Sequence, residues 1–489
     1  MIKFETVVGL EIHARLATAS KMFCSCPAAE ADAAPNTAIC PVCTGQPGAL
    51  PTTNRKAVEL AITAGLALNC RVNGVSAFAR KNYFYPDLPK SYQISQHAHP
   101  LCQDGSVEID LKPAGVKTIR ITRAHLEEDA GKSLHALGSR ALPYTLLDFN
   151  RCGAPLIEIV SQPDISSGEE AFSYLTEVKR LLRWTGTSSC DMEKGELRCD
   201  VNVSLRPVGV KALGRRVEIK NLNSFKAVKD AIAYEAARQA ALLATGGSVP
   251  QDTRLWDEKE QRTVPMRSKE LEPDYLYFPE PDLPAVRVTD TQLAGARALT
   301  GELPRARKAR FMKELELSEY DASRLTADRE LSAYFEACMA APAARSAGPK
   351  AVANLVTGEF LARANELKIA PQDYPTKTLP PEYLAELAAL VAQGALSASA
   401  AKTVFARVWD TGRPPLALQT EMGLTQVNDA RQLDAWAREA IAASPAAAQD
   451  VRKGEERSLG PIVGVMIKLS RGKANPRLGA EIIKKILAG

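Results

Sequence analysis

Three separate stretches of the chain alternate apolar and polar residues with a period of two. In TVVGLEIHARL (residues 6–16), Val8, Leu10, Ile12 and Leu16 share one face, and Glu11, His13 and Arg15 share the other. CDVNVSLRP (199–207) sets Val201, Val203 and Leu205 against Asp200, Asn202, Ser204 and Arg206, and RRVEIKNL (215–222) repeats the pattern through Val217 and Ile219. Successive side chains of a strand point to opposite faces. Polar faces this regular therefore predict antiparallel strands with one side open to a cleft or to water.

Two helices interrupt these strands. GEEAFSYLTEVKRLLRWTG places Phe172, Leu175, Val178 and Leu182 on one side and is expected to stop at Gly186. NSFKAVKDAIAYEAARQAALLATGG is expected to start after Asn223 or Ser224 as its cap and to end at Gly246–Gly247. Past about residue 295 the texture changes to Ala, Leu, Glu and Arg with helical periodicity, and TGRPP (411–415) breaks it again. The expected fold is thus α+β and multidomain: a strand-rich N-terminal domain of mainly antiparallel sheet over 1–294, then two all-α domains at 295–411 and 412–489. A length of 489 residues accommodates that division, at roughly 150 residues per domain.

No apolar run approaches the ~18 residues of a membrane span, and MIKFETVVGLEIH does not read as a secretory leader. A cytoplasmic protein is expected. In a reducing compartment clustered cysteines point to metal or catalysis rather than to disulfides. Of ten cysteines, four form two close pairs, Cys24-x-Cys26 and Cys40-x-x-Cys43, with thirteen residues between the pairs. Four thiolates at that spacing can close a tetrahedral structural zinc site and leave no open position for catalysis.

The stretch HLEEDAGKS (125–133) resembles two motifs at once. A phosphate-binding P-loop needs a glycine five residues before its Gly-Lys pair, and Leu126 stands there, so a P-loop is excluded. Glu127, Glu128 and Asp129 remain as hard oxygen donors of the kind magnesium prefers, or as an acidic turn. Glu11, His13, Glu158 (inside the apolar PLIEIVS) and Asp200 can reach one cleft from separate strands. RKNYFYPDLPKSYQISQ (80–96) interleaves Lys81 and Lys90 with Tyr83, Phe84, Tyr85 and Tyr92, a composition that suits a nucleotide or an RNA end, or a packed loop. Residues 451–489 carry nine Lys/Arg against three Asp/Glu, while the whole chain is only +5. That basic segment suggests a polyanionic partner.

The blocks FETVVGLEIHARL, RKNYFYPDLPKSYQISQ, HLEEDAGKS, DFNRCGAPLIEIVSQPD, GELRCDVNVSLRP, EIKNLNSF and DYLYFPEPDLP together resemble the B subunit of the glutamine-dependent aspartyl/glutamyl-tRNA amidotransferases, the GatB family. GPIVGVMIKLSRGKANPRLGAEIIKKIL looks like that family's YqeY-like tRNA-binding tail. The resemblance runs nearly end to end. It implies a cradle domain, a helical domain and the tail, in a heterotrimer with subunits A and C, the amidase and a small subunit. It implies a ligase that forms a carbon–nitrogen bond. ATP phosphorylates the side-chain carboxylate of Asp or Glu misacylated on tRNA, and ammonia from glutamine converts the acyl phosphate to Asn or Gln.

On that basis His13, Glu128 and Glu158 are expected around one Mg²⁺, with Glu11 and Asp200 serving a second ion or its waters. Lys81, Lys132 and Arg198 are candidates to hold ATP phosphates. Cys24, Cys26, Cys40 and Cys43 are expected to hold Zn²⁺, on spacing in this chain. Lys468, Arg471, Lys473, Arg477, Lys484 and Lys485 are expected to meet tRNA, with Ile482, Ile483 and Ile486 holding their helix to a small core. The sequence shows neither an amidase serine stretch nor a Cys–His glutaminase motif, so a partner is expected to supply the ammonia. Two other readings compete: a zinc-stapled tRNA-binding scaffold without chemistry, and a metal nuclease.

Overall fold

The computed structural model of the chain describes residues 3–28, 33–111, 113, 115–138, 140–266, 275–374, 378–424, 429–470 and 473–488. In it the three alternating stretches become adjacent strands of one sheet. In chain order the first part runs β1 (Phe4–Arg15), α1 (Arg55–Ala67), β2 (Arg71–Val72), β3 (Val75–Ser76), β4 (Ala79–Asn82), β5 (Tyr92–Ser95) and β6 (Cys102–Leu111). It continues with β7 (Gly115–Glu128), β8 (Lys132–Leu137), β9 (Arg140–Asp148), β10 (Pro155–Ser161), α2 (Gly168–Trp184) and β11 (Leu197–Pro207). Then come β12 (Val217–Lys220), α3 (Phe225–Ala244), β13 (Asp252–Asp257), β14 (Arg262–Pro265), β15 (Leu276–Pro279), β16 (Val286–Arg287) and α4 (Asp290–Thr300).

The main sheet has the order β14-β13-β12-β11-β1-β10-β7-β6-β2. Its pairs are antiparallel except β12 with β13. Strand β1 sits near the centre, with His13 opposite Glu158 on β10 and Glu11 opposite Asp200 on β11. The period of two then divides the chemistry. Val8, Leu10, Ile12, Leu126, Ile157, Ile159, Val201 and Val203 are buried in one core with Ile62 of α1, Tyr174 and Val178 of α2 and Val228 of α3. The opposite face carries the polar residues.

Ser167 and Ser224 cap α2 and α3 by accepting from the backbone N–H groups of Glu170 and Ala227. Gly186, at φ +67, follows the end of α2. One detail of α2 differs from its sequence pattern: Phe172 is exposed and meets Phe225 edge-on at 6.1 Å, while Tyr174 turns into the core. Phe172 begins the helix beside the start of α3, where a ring-on-ring contact takes the place of burial.

The chain divides into two compact units, Met1–Leu303 and Pro304–Gly489. The second is helical and holds two separate apolar cores. One gathers Phe311, Phe335, Val352, Phe360, Leu384, Val404 and Leu418. The other gathers Leu433, Ala437, Ile462, Met466 and Ile483, with Ile482 and Ile486 packed against it. Among the described residues no helix is long and apolar enough to cross a membrane.

Candidate functional site

Side chains on the polar face of the main sheet converge where β1, β10 and β7 run side by side. His13 Nε2 lies 3.4 Å from Glu127 Oε1 and 3.6 Å from Glu158 Oε2. His125 Nε2 reaches the same Glu158 oxygen at 3.3 Å. One ligand atom each from His13, Glu127 and Glu158 fall within 4.8 Å of one another, close enough to share a metal ion.

This set differs from the expected one at a single position, because Glu127 rather than Glu128 joins His13 and Glu158. The reason is the strand period. Glu127 lies opposite Leu156 and His125 opposite Glu158, so both point to the polar face. Glu128 shares the inner face with Leu126. There it pairs with Lys90 Nζ and accepts from the backbone N–H of Ile94 at 2.9 Å. The alternation of Ala124 and Leu126 carried that signal in the sequence.

The other candidates spread outward from the cluster. Glu11 sits two residues before His13 on the same face and accepts from Asn202 Nδ2 at 3.1 Å. Beyond it a cavity of about 600 Å³ opens along β1 and β11, bordered by Asn202, Ser204, Arg215 and Arg216. Asp200 is balanced by Lys220, whose Nζ is 3.2 Å away and also 3.1 Å from Glu218. No second group of metal-binding atoms converges there among the described residues. Arg198, opposite His13, pairs with Asp129. Lys81 on β4 stands 4.4 Å from the centre of the Tyr275 ring. Lys132 is exposed on the β8–β9 hairpin and is not brought to the cluster.

Electrostatics show why such a cluster suits a cation. Burial alone would lower the pKa of His13, but Glu127 and Glu158 outweigh it and hold the imidazole up at about 9. Burial pushes Glu127 up to about 8, with Glu158 adding to the rise and His13 opposing it. Glu158 is held well below the usual carboxylate range by His125 and His13, against the effect of burial. Lys81 is raised, since Tyr277, Glu127, Tyr275 and Glu158 overcome its burial. Two buried carboxylates thus compete for little positive charge. An imidazole nitrogen and two carboxylate oxygens form a donor set that a divalent cation fits, as it would supply the missing charge.

A second group that could hold a metal lies in the loops after β1. Ligand atoms of Cys24, Cys26, Cys40 and Cys43 also lie within 4.8 Å of one another. The Cys40 N–H donates to Cys43 Sγ at 3.2 Å, and the thiol of Cys43 is lowered to about 4, chiefly by its hydrogen bond with Cys24. Gly45 then takes φ +67, and a Cβ there would lie 2.7 Å from Lys90 Cγ. Lys21 lies against this cluster. Its ammonium is fully buried and donates to Ala38 O at 2.7 Å and Cys43 Sγ at 3.4 Å. A buried cation is stabilised by an anion close by, and Cys43, whose thiol is the one shifted down, is the cysteine it touches. Four thiolates around a Zn²⁺ would keep an excess of negative charge, which Lys21 is placed to offset.

Residues 6–294 match the family model described as GatB/GatE catalytic domain, and residues 333–487 match the one described as GatB domain. The chain belongs to the GatB family. It is 48% identical to the aspartyl/glutamyl-tRNA(Asn/Gln) amidotransferase B subunit of Elusimicrobium minutum, over the full length of both chains. It is 47% identical to the protein of the same name in Carboxydothermus hydrogenoformans, again over the full length of both. Its identity to that of Persephonella marina is 46%, over 99% of this chain and all of the relative.

The GatB/GatE catalytic-domain match spans both candidate metal groups, and the GatB-domain match spans the basic tail. In that tail Lys468, Lys473, Arg477, Lys484 and Lys485 are all exposed, and Arg471 lies outside the described residues. Asn475 accepts from the backbone N–H groups of Arg477 and Leu478, which starts the helix Pro476–Ala488. Sequence reasoning named Glu127 in the acidic triplet but chose its neighbour Glu128 for the metal, and it did not single out His125, Lys220 or the buried Lys21 of this GatB-family chain. Strand parity marked Glu127 and His125. The others are set by their neighbours in the fold: Lys220 by Asp200 on the adjacent strand, and Lys21 by Ala38 and Cys43.

Proposed function

We propose that this chain is the component of a tRNA-dependent amidotransferase that activates and amidates the side-chain carboxylate of misacylated Asp-tRNA(Asn) or Glu-tRNA(Gln). The observation that supports it best is the meeting of His13, Glu127 and Glu158 on the polar face of the sheet. A free carboxylate resists ammonia because oxide is a poor leaving group. Transfer of the γ-phosphoryl group of ATP to that carboxylate gives an acyl phosphate, and ammonia attack then releases phosphate. Magnesium held by His13, Glu127 and Glu158 would neutralise phosphate charge during this transfer.

The chain's own residues position the rest. Glu11 continues the acidic row toward the cavity, and Arg215 and Arg216 border that cavity as long-reaching cations suited to a polyphosphate. Lys81, raised by Tyr277, Glu127, Tyr275 and Glu158 against its burial, is a candidate to hold phosphate. Arg198 serves through Asp129, and Asp200 through Lys220. The same reading includes a cradle at 1–294, a helical domain from 295 and a tRNA-binding tail at the end; the expected boundary at 411/412 moves C-terminal, because helix Pro415–Glu421 adds Leu418 to the core of the helical domain. Subunits A and C would complete the assembly in the cytoplasm, with the amidase releasing ammonia from glutamine.

The deciding experiment is to reconstitute the trimer and offer ATP with each misacylated tRNA. Amide formation on the tRNA that requires ATP, glutamine and the partner is the expected result. Glu-tRNA or Asp-tRNA left unphosphorylated in the presence of ATP would instead favour a scaffold role, and ATP-independent loss of tRNA would favour a nuclease.

Zinc is expected to act on stability rather than on chemistry, since a structural zinc site couples directly to folding. Cys40→Ser should lower bound zinc and the melting temperature together, with turnover per folded molecule retained. Elemental analysis that finds no zinc in freshly purified wild-type protein would refute this assignment.

A further inference from the structure

The cation site described above leaves one imidazole without a role. His125 on β7 lies directly opposite Glu158 on β10, which lies directly opposite His13 on β1. Three strands thus set His13, Glu158 and His125 in one row across the sheet, with the carboxylate in the middle. Both imidazoles approach the same oxygen: Glu158 Oε2 is 3.6 Å from His13 Nε2 and 3.3 Å from His125 Nε2.

The two rings sit in different surroundings. The side chain of His13 is 22% exposed and touches Glu127 as well. His125 is 2% exposed, and among the described residues its Nδ1 has no hydrogen-bond partner. A neutral imidazole has a single N–H. Placing it on Nε2 pairs the proton with Glu158 and leaves Nδ1 as a bare lone pair, which matches the absence of a partner there.

We propose that His125 is a positioning residue that holds Glu158 by an Nε2–H hydrogen bond, so that the carboxylate presents to the divalent cation bound by His13, Glu127 and Glu158. This rests on the cation reading of the site. A cation held here would take the Nε2 lone pair of His13, and His13 would then no longer donate to Glu158. His125 becomes the donor that remains at Oε2. It is fixed in turn by its burial in the sheet, and so limits the torsions through which the Glu158 carboxylate can turn. Donors behind a metal ligand typically change metal affinity by roughly 10–100-fold.

The test uses the full-length chain with Mn²⁺ alone as a paramagnetic probe. His125→Gln keeps an N–H donor at about the reach of Nε2. His125→Leu keeps the burial and removes the donor, and His125→Met does the same with a more adaptable side chain should the leucine fold poorly. Wild type and His125→Gln are expected to bind Mn²⁺ comparably, and the Leu and Met variants about tenfold or more weakly. The nitrogen coupling of bound Mn²⁺ in pulsed EPR should come from His13, persist in His125→Gln and vanish in His13→Gln. In the reconstituted complex, His125→Leu should raise the Mg²⁺ concentration needed for half-maximal rate more than it lowers the rate at saturating Mg²⁺.

Equal Mn²⁺ affinity in wild type and the donor-free variants would overturn the positioning role while leaving the cation site in place. Loss of the nitrogen coupling in His125→Gln would overturn it in favour of direct ligation. A wild-type chain that binds no Mn²⁺ would remove the cation reading itself, and the positioning role with it.

Discussion

Glu127→Ala or Glu158→Ala in the reconstituted complex is expected to abolish amide formation on tRNA, while the partner's hydrolysis of glutamine persists at least in part. The loss should be roughly a thousandfold or more. A divalent ion on a transferring phosphoryl group contributes several kcal/mol, and each ~1.4 kcal/mol is tenfold in rate. Both carboxylates lie within reach of His13 Nε2, and removing either breaks the donor set. Glu128 supplies the internal control. It is one residue away but faces the core, where it pairs with Lys90. Its loss leaves a nearly buried ammonium without its partner, which costs about 3–5 kcal/mol. Glu128→Ala should therefore lower the melting temperature and the yield of folded protein, with the rate per folded molecule largely kept. Normal transamidation by Glu127→Ala, or selective loss of chemistry in a stable Glu128→Ala, would remove the carboxylate assignment.

The contrast between these neighbours shows how the sequence could be read. The alternation in β1 and β11 was visible because apolar and polar residues interleave without interruption, so the two faces of the sheet separated correctly. At β7 three acids in a row hide the alternation. Parity then has to be carried from Ala124 and Leu126, across the end of the strand. The pairing of β1 with both β10 and β11 joins segments far apart in sequence, as in Leu10 N–H to Ser161 Oγ, with |i−j| of 151, and Asn202 to Glu11, with |i−j| of 191. No local pattern encodes which strands become neighbours. For the same reason Lys21 could not be singled out: its role depends on Ala38 and Cys43 folding back over it. The cysteine pairs were legible because ligand spacing is itself a local signal.

The tail carries the second large effect, on binding rather than chemistry. Deleting residues 429–489 from the chain in the complex is expected to weaken tRNA binding and flatten its dependence on salt. The cut is placed there because helix Pro415–Glu421 contributes Leu418 to the preceding core, whereas helix Ala430–Ala442 opens the last one. In that last core Met466, Ile483 and Leu487 are buried, which turns Lys468, Lys473, Arg477, Lys484 and Lys485 outward. These cations are not equally available. Lys484 is engaged by Glu456 at 2.6 Å and Arg477 by Glu481 at 3.6 Å. Lys468, Lys473 and Lys485 have no ion pair among the described residues, so phosphates would meet them at least cost. Each phosphate left unneutralised should lower the log–log salt slope by roughly 0.7–0.9, so three such phosphates account for about 2 to 3. The triple substitution of Lys468, Lys473 and Lys485 by alanine keeps the apolar core and should reproduce most of the truncation's effect on the slope. Chemistry should survive at saturating tRNA in both, because His13, Glu127 and Glu158 all lie in the first compact unit. A truncated complex with unchanged affinity and salt slope would mean that the basic excess is only a solvated helix face.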